Sequence, residues 1–140
     1  MGSGMIVVDT NVVAAVVIRG ATIDDAFAAR ARDREWIAPR LLASELLNAL
    51  SKYLVIAKSL DRDDAVKAFR RGLALVEFPA DQGDAVDILN VCTRSGLTSY
   101  DAEFVALAIE RNTRLVTLDN GILNAYPQIA VSLADFAAGK

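Results

Sequence analysis

The sequence predicts an α/β domain with a mainly parallel sheet and helices on both faces. Three observations carry that reading. Short β-branched runs alternate with longer amphipathic stretches along the chain, two of the runs stop abruptly on an aspartate, and 140 residues, 54% of them hydrophobic, provide one sizeable core. Alternation of this kind marks strand–helix–strand units. Their right-handed crossovers bring the C-terminal ends of parallel strands to one edge of the sheet, where ligands of open α/β sheets bind.

The elements follow in order. Met5–Val8 is a short apolar strand that ends at Asp9, and Asp9 or Thr10 caps a helix to about Ile18. Thr22–Asp25 opens a second helix, with acids in the first turn where the dipole favours them, and it ends near Arg32. Glu35–Ala38 is a strand stopped by Pro39. The longest helix runs from Leu41 to about Ala57: Leu42, Leu46, Leu50 and Leu54 recur at every fourth position, and Leu47 and Tyr53 widen the apolar stripe. Asp61 caps a helix to about Gly72, Leu75–Phe78 is a strand closed by Pro79, and Asp81 opens a helix that ends at Ser95–Gly96. Thr98 or Ser99 opens the next, to about Arg111. Leu115–Leu118 is a second strongly apolar strand that ends on an aspartate, Asp119. A strand over Ile129–Ser132 and a helical turn over Leu133–Ala137 complete the order. Met1–Gly4 reads as a remnant of expression cloning, which leaves a single domain over residues 5–140.

Composition narrows the chemistry. Fifteen Lys and Arg against 18 Asp and Glu give a net charge of −3, so the chain is no basic coat for nucleic acid. An enzyme that gathers carboxylates around metal ions needs no such coat. Histidine is absent, which excludes Ser–His and Cys–His catalysis, an imidazole base and histidine-ligated zinc. Any hydrolysis must run on carboxylates. The single cysteine, Cys92, cannot close an intrachain disulfide and reads as a structural thiol in a reducing compartment. The apolar run Val12–Ile18 falls well short of the roughly 20 residues of a membrane span, and no basic leader precedes it. A cytoplasmic chain with no membrane partner is expected.

Asp9 and Asp119 directly follow the two most hydrophobic strands, so both belong to the C-terminal edge of the sheet. Each is explained as a helix cap or turn former, or as half of a site. Glu45 lies among leucines on the longest helix, where a carboxylate must reach water at the boundary, pair, or bind a cation. Asp101 sits in a first helical turn, where capping alone accounts for it. Glu103 and Glu110, on the same helix, read as solvated surface residues, as do the Asp24–Asp25 and Asp61–Asp64 clusters at helix starts. Taken together, Asp9, Glu45, Asp101 and Asp119 can converge on one edge. Four carboxylates that close would hold their protons unless cations neutralised them. Oxygen-only ligation suits Mg²⁺ or Mn²⁺, and paired divalent ions are common machinery for phosphodiester cleavage.

At these residues the sequence resembles a known family. Met5–Asn11 (MIVVDTN) is similar to the opening motif of PIN-domain ribonucleases, above all the VapC toxins of toxin–antitoxin pairs. Ser44–Leu50 (SELLNAL) resembles their second motif, Ser99–Ala108 (SYDAEFVALA) the third, with Phe104 where tyrosine is common, and Leu115–Asp119 (LVTLD) the fourth. The likeness spans nearly the whole chain in the right order. It implies that Asp9, Glu45, Asp101 and Asp119 form an acidic Mg²⁺ site (Mn²⁺ as an alternative), Asp9 and Asp101 as direct ligands and Glu45 and Asp119 directly or through water. Thr10, Asn11 and Thr117 would orient the carboxylates, although capping and strand pairing also explain them. A three-layer fold around a five-stranded parallel sheet, endonucleolytic cleavage of structured RNA, a homodimer and inhibition by a cognate antitoxin follow from the same resemblance. Arg19, Arg40, Lys52, Arg94 and Arg114 are candidates for an RNA groove, but no basic stripe with interleaved aromatics accompanies them.

Two other readings compete. A phosphoryl-transfer domain with an aspartate nucleophile would want paired early acids and a late lysine, whereas Thr10 and Asn11 follow Asp9 and no lysine lies between Lys67 and Lys140. A non-catalytic α/β interaction module would use the same acids as caps.

Overall fold

The structure is a computed structural model that describes residues 5–18 and 20–140. Met1–Gly4, read above as a cloning remnant, and Arg19, an RNA-groove candidate, lie outside the described residues. The element order is β1 (Ile6–Val8), α1 (Thr10–Val17), α2 (Ile23–Arg32), β2 (Trp36–Ile37), α3 (Leu41–Val55), α4 (Arg62–Ala74), β3 (Val76–Glu77), α5 (Ala85–Ser95), α6 (Ser99–Glu110), β4 (Leu115–Thr117), α7 (Asn120–Ala125), β5 (Ala130–Ser132) and α8 (Leu133–Ala137).

The five strands form one parallel sheet in the order β3-β2-β1-β4-β5. From β1 the chain moves outward through β2 to β3 and then crosses back to β4 and β5. The order therefore reverses between β1 and β4, the place where open α/β sheets leave a crevice. With right-handed crossovers, α1–α4 cover one face and α5 and α6 the other, and α1 packs on α2, α3 and α4 while α5 packs along α6. This is the three-layer α/β architecture the alternating pattern predicts.

The sheet is apolar because both of its faces are covered. Val7, Val8, Leu115 and Val116 are wholly buried, and they meet Val12 and Val13 of α1, Leu42 and Leu46 of α3 and Val105 of α6 in a single core. Gly72 of α4 lets that helix come close. A Cβ there would stand 2.5 Å from Leu46 Cδ2 and 3.2 Å from Val13 Cγ1. Among the described residues, no helix is long and apolar enough to cross a membrane.

Some expectations need correction. Asp84, not Asp81, caps α5: its carboxylate accepts the N–H groups of Val86 at 2.7 Å and Asp87 at 3.4 Å. Residues 120–125, unassigned in the sequence reading, form α7 with Asp119 as its cap. Leu118 is not part of β4; it is exposed and its N–H is accepted by the Asn11 side chain at 3.2 Å. On α3, Leu42, Leu46 and Leu50 are buried, but Leu47 is half exposed and does not widen the stripe. Cys92 is partly buried against the core.

Candidate metal and active site

All four sequence-predicted acids line one cleft of about 560 Å³ at the C-terminal edge of the sheet. Asp9 is placed by the end of β1 and caps α1, with Oδ1 accepting the Thr10 N–H at 2.8 Å. Asp119 follows β4 and caps α7, accepting the Ile122 N–H at 3.0 Å. Asp101 enters from the first turn of α6, whose cap is Thr98. Glu45 enters from α3 on the opposite wall. Capping and cleft lining thus coincide at Asp9 and Asp119: each carboxylate caps a helix and also lines the cleft.

A hydrogen-bonded frame ties these side chains together. The Thr10 hydroxyl donates to Glu45 Oε1 at 2.6 Å, bridging α1 to α3. The fully buried Thr117 hydroxyl donates to Asp9 Oδ2 at 2.6 Å and accepts the Asp119 N–H at 2.9 Å, so one hydroxyl serves the residues that follow both central strands. Asn11 Nδ2 lies 3.4 Å from Asp9 Oδ2, while its Oδ1 holds the Leu118 N–H. Gly121 completes the frame, and the sequence reading passed over it. A Cβ there would stand 3.0 Å from Asp119 Oδ1, so a side chain would crowd that carboxylate.

The electrostatics are those of a site short of positive charge. Burial pushes the Asp9 carboxyl up from 3.8 to about 6, against the stabilising hydrogen bonds from Thr117 and Thr10, and the charges of Glu45 and Asp101 push the same way. Asp101 is raised by burial and then by the charges of Asp119 and Glu45. Glu103 is raised by burial and by Glu45, so it is no plain surface acid. Glu110 is exposed and lies beside Arg111 at 3.8 Å. The two ion pairs among the described residues, Arg111–Glu110 and Lys140–Asp135, involve none of Asp9, Glu45, Asp101 or Asp119. Nor, among the described residues, do three potential metal ligands stand close enough together to enclose one ion. In donor chemistry the cleft fits a hard divalent cation: its anionic groups are all carboxylates, with no thiolate or imidazole beside them.

Of the basic residues expected along an RNA groove, Lys52 lines this cleft. Arg40 lines a second cleft, Arg94 a third and smaller one, and Arg114 is engaged with the Lys140 carbonyl at 2.8 Å. Asn48 and Tyr53, next to Lys52 on α3, also line the acidic cleft, and the sequence reading did not place them there. Their signal was the spacing from Glu45: Asn48 and Lys52 fall one and two turns further on the same helix face.

The family model for the PIN domain matches residues 6–127, most of the chain and all of the elements that build the cleft. The chain belongs to the PIN domain family. Solved structures agree in fold. This PIN domain is 22% identical to PAE2754 from Pyrobaculum aerophilum, with a TM-score of 0.73 over 97% of this chain and 94% of that one. It is 16% identical to FitAcB from Neisseria gonorrhoeae, with a TM-score of 0.70 over 92% and 98%. With a toxin–antitoxin complex from Klebsiella pneumoniae it shares 18% identity and a TM-score of 0.63 over 94% and 98%. No curated protein is significantly similar to this chain in sequence.

Proposed function

We propose that this PIN domain is a divalent-metal-dependent endoribonuclease and the toxin of a toxin–antitoxin pair. The observation that carries the reading is the convergence of Asp9, Glu45, Asp101 and Asp119 on one cleft with no paired arginine or lysine among the described residues. Asp9, buried, without an ion-pair partner among the described residues and facing the charges of Glu45 and Asp101, is costly to ionise unless a cation belongs there. Asp9 and Asp101 would hold Mg²⁺ or Mn²⁺ directly, and Glu45 and Asp119 directly or through water. When bound, such ions lower the pKa of an attacking water and stabilise the leaving oxygen of a phosphodiester.

The protein's own part is orientation. Thr117 and the Thr10 amide fix the Asp9 carboxylate, the Thr10 hydroxyl fixes Glu45, and the start of α7 fixes Asp119. Hydrogen bonds of this kind, behind the ligands, commonly set metal affinity and activity by ten- to a hundredfold. The toxin assignment is supported by the likeness to a toxin–antitoxin complex from Klebsiella pneumoniae and by the motifs shared with VapC toxins. Exposed apolar side chains at the end of α3 (Val55 and the following Ile56) and on α5 (Val86, Leu89) offer faces for a cognate antitoxin and for a homodimer. An RNA substrate places the work in the cytoplasm, where the Cys92 thiol stays reduced.

The test is a Mg²⁺ and Mn²⁺ titration of the purified chain with labelled structured RNAs, beside Asp101→Asn. Metal-dependent cutting that the variant loses, with its fold intact, supports the reading. Equal cutting by both proteins, or no cutting and no metal binding at millimolar concentrations, sinks it and favours the non-catalytic module.

A further inference from the structure

The carboxylates are one part of the cleft lining. On the α3 wall the lining continues past Glu45 through Asn48 and Ala49 to Lys52 and Tyr53. With a rise of 1.5 Å per residue, Lys52 stands about 10 Å along the helix axis from Glu45. Among the described residues that line the cleft Lys52 is the one cation, and it joins neither ion pair. Tyr53 is 37% exposed, with part of its surface on the cleft.

The helix end that carries this pair is fixed. The N–H groups of Ile56 and Ala57 both donate to the Lys52 carbonyl at 3.0 Å, and the Ser59 N–H returns to the Tyr53 carbonyl at 2.9 Å. Lys58 makes the return possible with a left-handed backbone, φ 52°, which non-glycine residues adopt mainly in such turns. The two side chains therefore project from a closed turn rather than a frayed end.

Charge is distributed to match. Residues 52–71 carry Lys52, Lys58, Arg62, Lys67, Arg70 and Arg71 against Asp61, Asp63 and Asp64, in a chain whose net charge is −3. Asp101 of α6 lines the cleft, and α6 carries Glu103 and Glu110 besides, with no lysine or arginine. A polyanion is drawn in from the α3 side and repelled from the α6 side.

We propose that Lys52 and Tyr53 are the substrate-gripping pair of the cleft. The Lys52 ammonium takes a backbone phosphate neighbouring the one under attack, and the Tyr53 ring stacks on a base of the same stretch. The ligand class is an unpaired polynucleotide segment, because a base must leave its own stack to lie on the ring. This inference rests on the nuclease reading and deepens it, by naming the wall along which the strand runs.

The experiment uses the full chain with Lys52→Ala, Lys52→Arg, Tyr53→Leu and Tyr53→Phe. The probe is a labelled single-stranded oligoribonucleotide, with its duplex form as competitor. Turnover in Mg²⁺ gives kcat and KM, and anisotropy at several salt concentrations gives binding. Lys52→Ala is expected to raise KM about five- to tenfold with kcat within about twofold. The slope of log affinity against log salt should shrink by about 0.7, one single-strand phosphate contact, and Lys52→Arg should restore it. Tyr53→Leu should weaken single-strand binding about tenfold, Tyr53→Phe should leave it unchanged, and the duplex should compete poorly.

If the wild type cuts RNA with metal while Lys52→Ala and Tyr53→Leu keep its KM and salt slope, the grip is wrong and the nuclease reading stands. If no metal-dependent cutting occurs but the same substitutions weaken strand binding as expected, the nuclease reading fails and the grip stands. Absence of both cutting and binding overturns both.

Discussion

Two clefts of similar size flank the sheet edge, and both are rich in carboxylates. The one between α1 and α3, about 560 Å³, holds Asp9, Glu45, Asp101 and Asp119. The one between the β3–α5 loop and α6, about 450 Å³, holds Asp81, Asp84, Asp87, Glu103 and Glu110 together with Arg40 and Arg111. They differ in what the carboxylates already do. In the second, Asp84 is used up by two backbone N–H groups, Glu110 lies beside Arg111, and most of the acids face water. In the first, Asp9 is 6% exposed and raised to about 6, and Thr10 and Thr117 hold carboxylates in place without neutralising them. The number of acids says little. Burial, orientation and the lack of an ion-pair partner among the described residues separate a candidate metal site from a solvated acidic rim.

The sharpest way to break this contrast is a matched pair of substitutions. Asp101→Asn should cut metal-dependent RNA cleavage at least a hundredfold, whereas Asp87→Asn in the second cleft should leave it within about twofold, both with melting temperatures close to wild type. Equal losses would erase the distinction.

Thr117→Val tests the frame. It removes the hydroxyl that serves both Asp9 Oδ2 and the Asp119 N–H and leaves those buried groups short of partners. A stability loss of about 1–3 kcal/mol in denaturant melts, with a ten- to hundredfold drop in kcat, is the expected outcome.

The pH dependence of the metal-free chain sharpens the electrostatic half. With the folded-state carboxyl of Asp9 near 6 and its ordinary value at 3.8, the folded chain binds this proton more tightly than the unfolded one. Its contribution is therefore fully present below about 3.8 and is lost as pH rises through 6. Asp9→Asn should lack that decline. The variant should gain on wild type between pH 4 and pH 7 by up to about 3 kcal/mol, and saturating Mg²⁺ should narrow the gap. Parallel melting curves for the two proteins across that range would count against a strained Asp9.

Gly121→Ala should have the smallest effect. Its Cβ would press on Asp119 Oδ1 at 3.0 Å, so a few-fold loss of activity at nearly unchanged stability is expected. If Asp119 took no part in the reaction, activity would not move.

The fold was legible because its signals are local. Each strand is a short apolar run with a sharp stop, and Asp61 and Thr98 cap helices with their side chains as their residue types suggest. Asp81 and Asp84 could not be told apart in this way, since both are acids three residues apart before the same helix, and choosing between them needs the path of the loop. The six residues of α7 are too few for a periodicity to show. The candidate site was legible as a list of acids, since strand ends and an acid among leucines stand out. Its frame was less so. That the Thr10 hydroxyl meets Glu45, 35 positions away, and that Thr117 meets Asp9, 108 away, are facts of tertiary packing that no local pattern holds. Tyr53 shows the same limit: at helical spacing it joins the leucine stripe, and only the fold turns part of it toward the cleft.

Trp36 has a practical consequence. It is the one tryptophan of the sequence, 1% exposed in β2, paired in register with Ile6 of β1 and covered by Arg30, whose guanidinium carbon lies 4.9 Å from the ring centre. Its emission is therefore a single-site optical gauge of whether the middle of the sheet is assembled. None of the substitutions above touches Trp36 or Arg30, so each variant carries an internal fluorescence standard. A loss of cutting with the native emission retained isolates chemistry, and a loss accompanied by a red shift reports a sheet that has come apart.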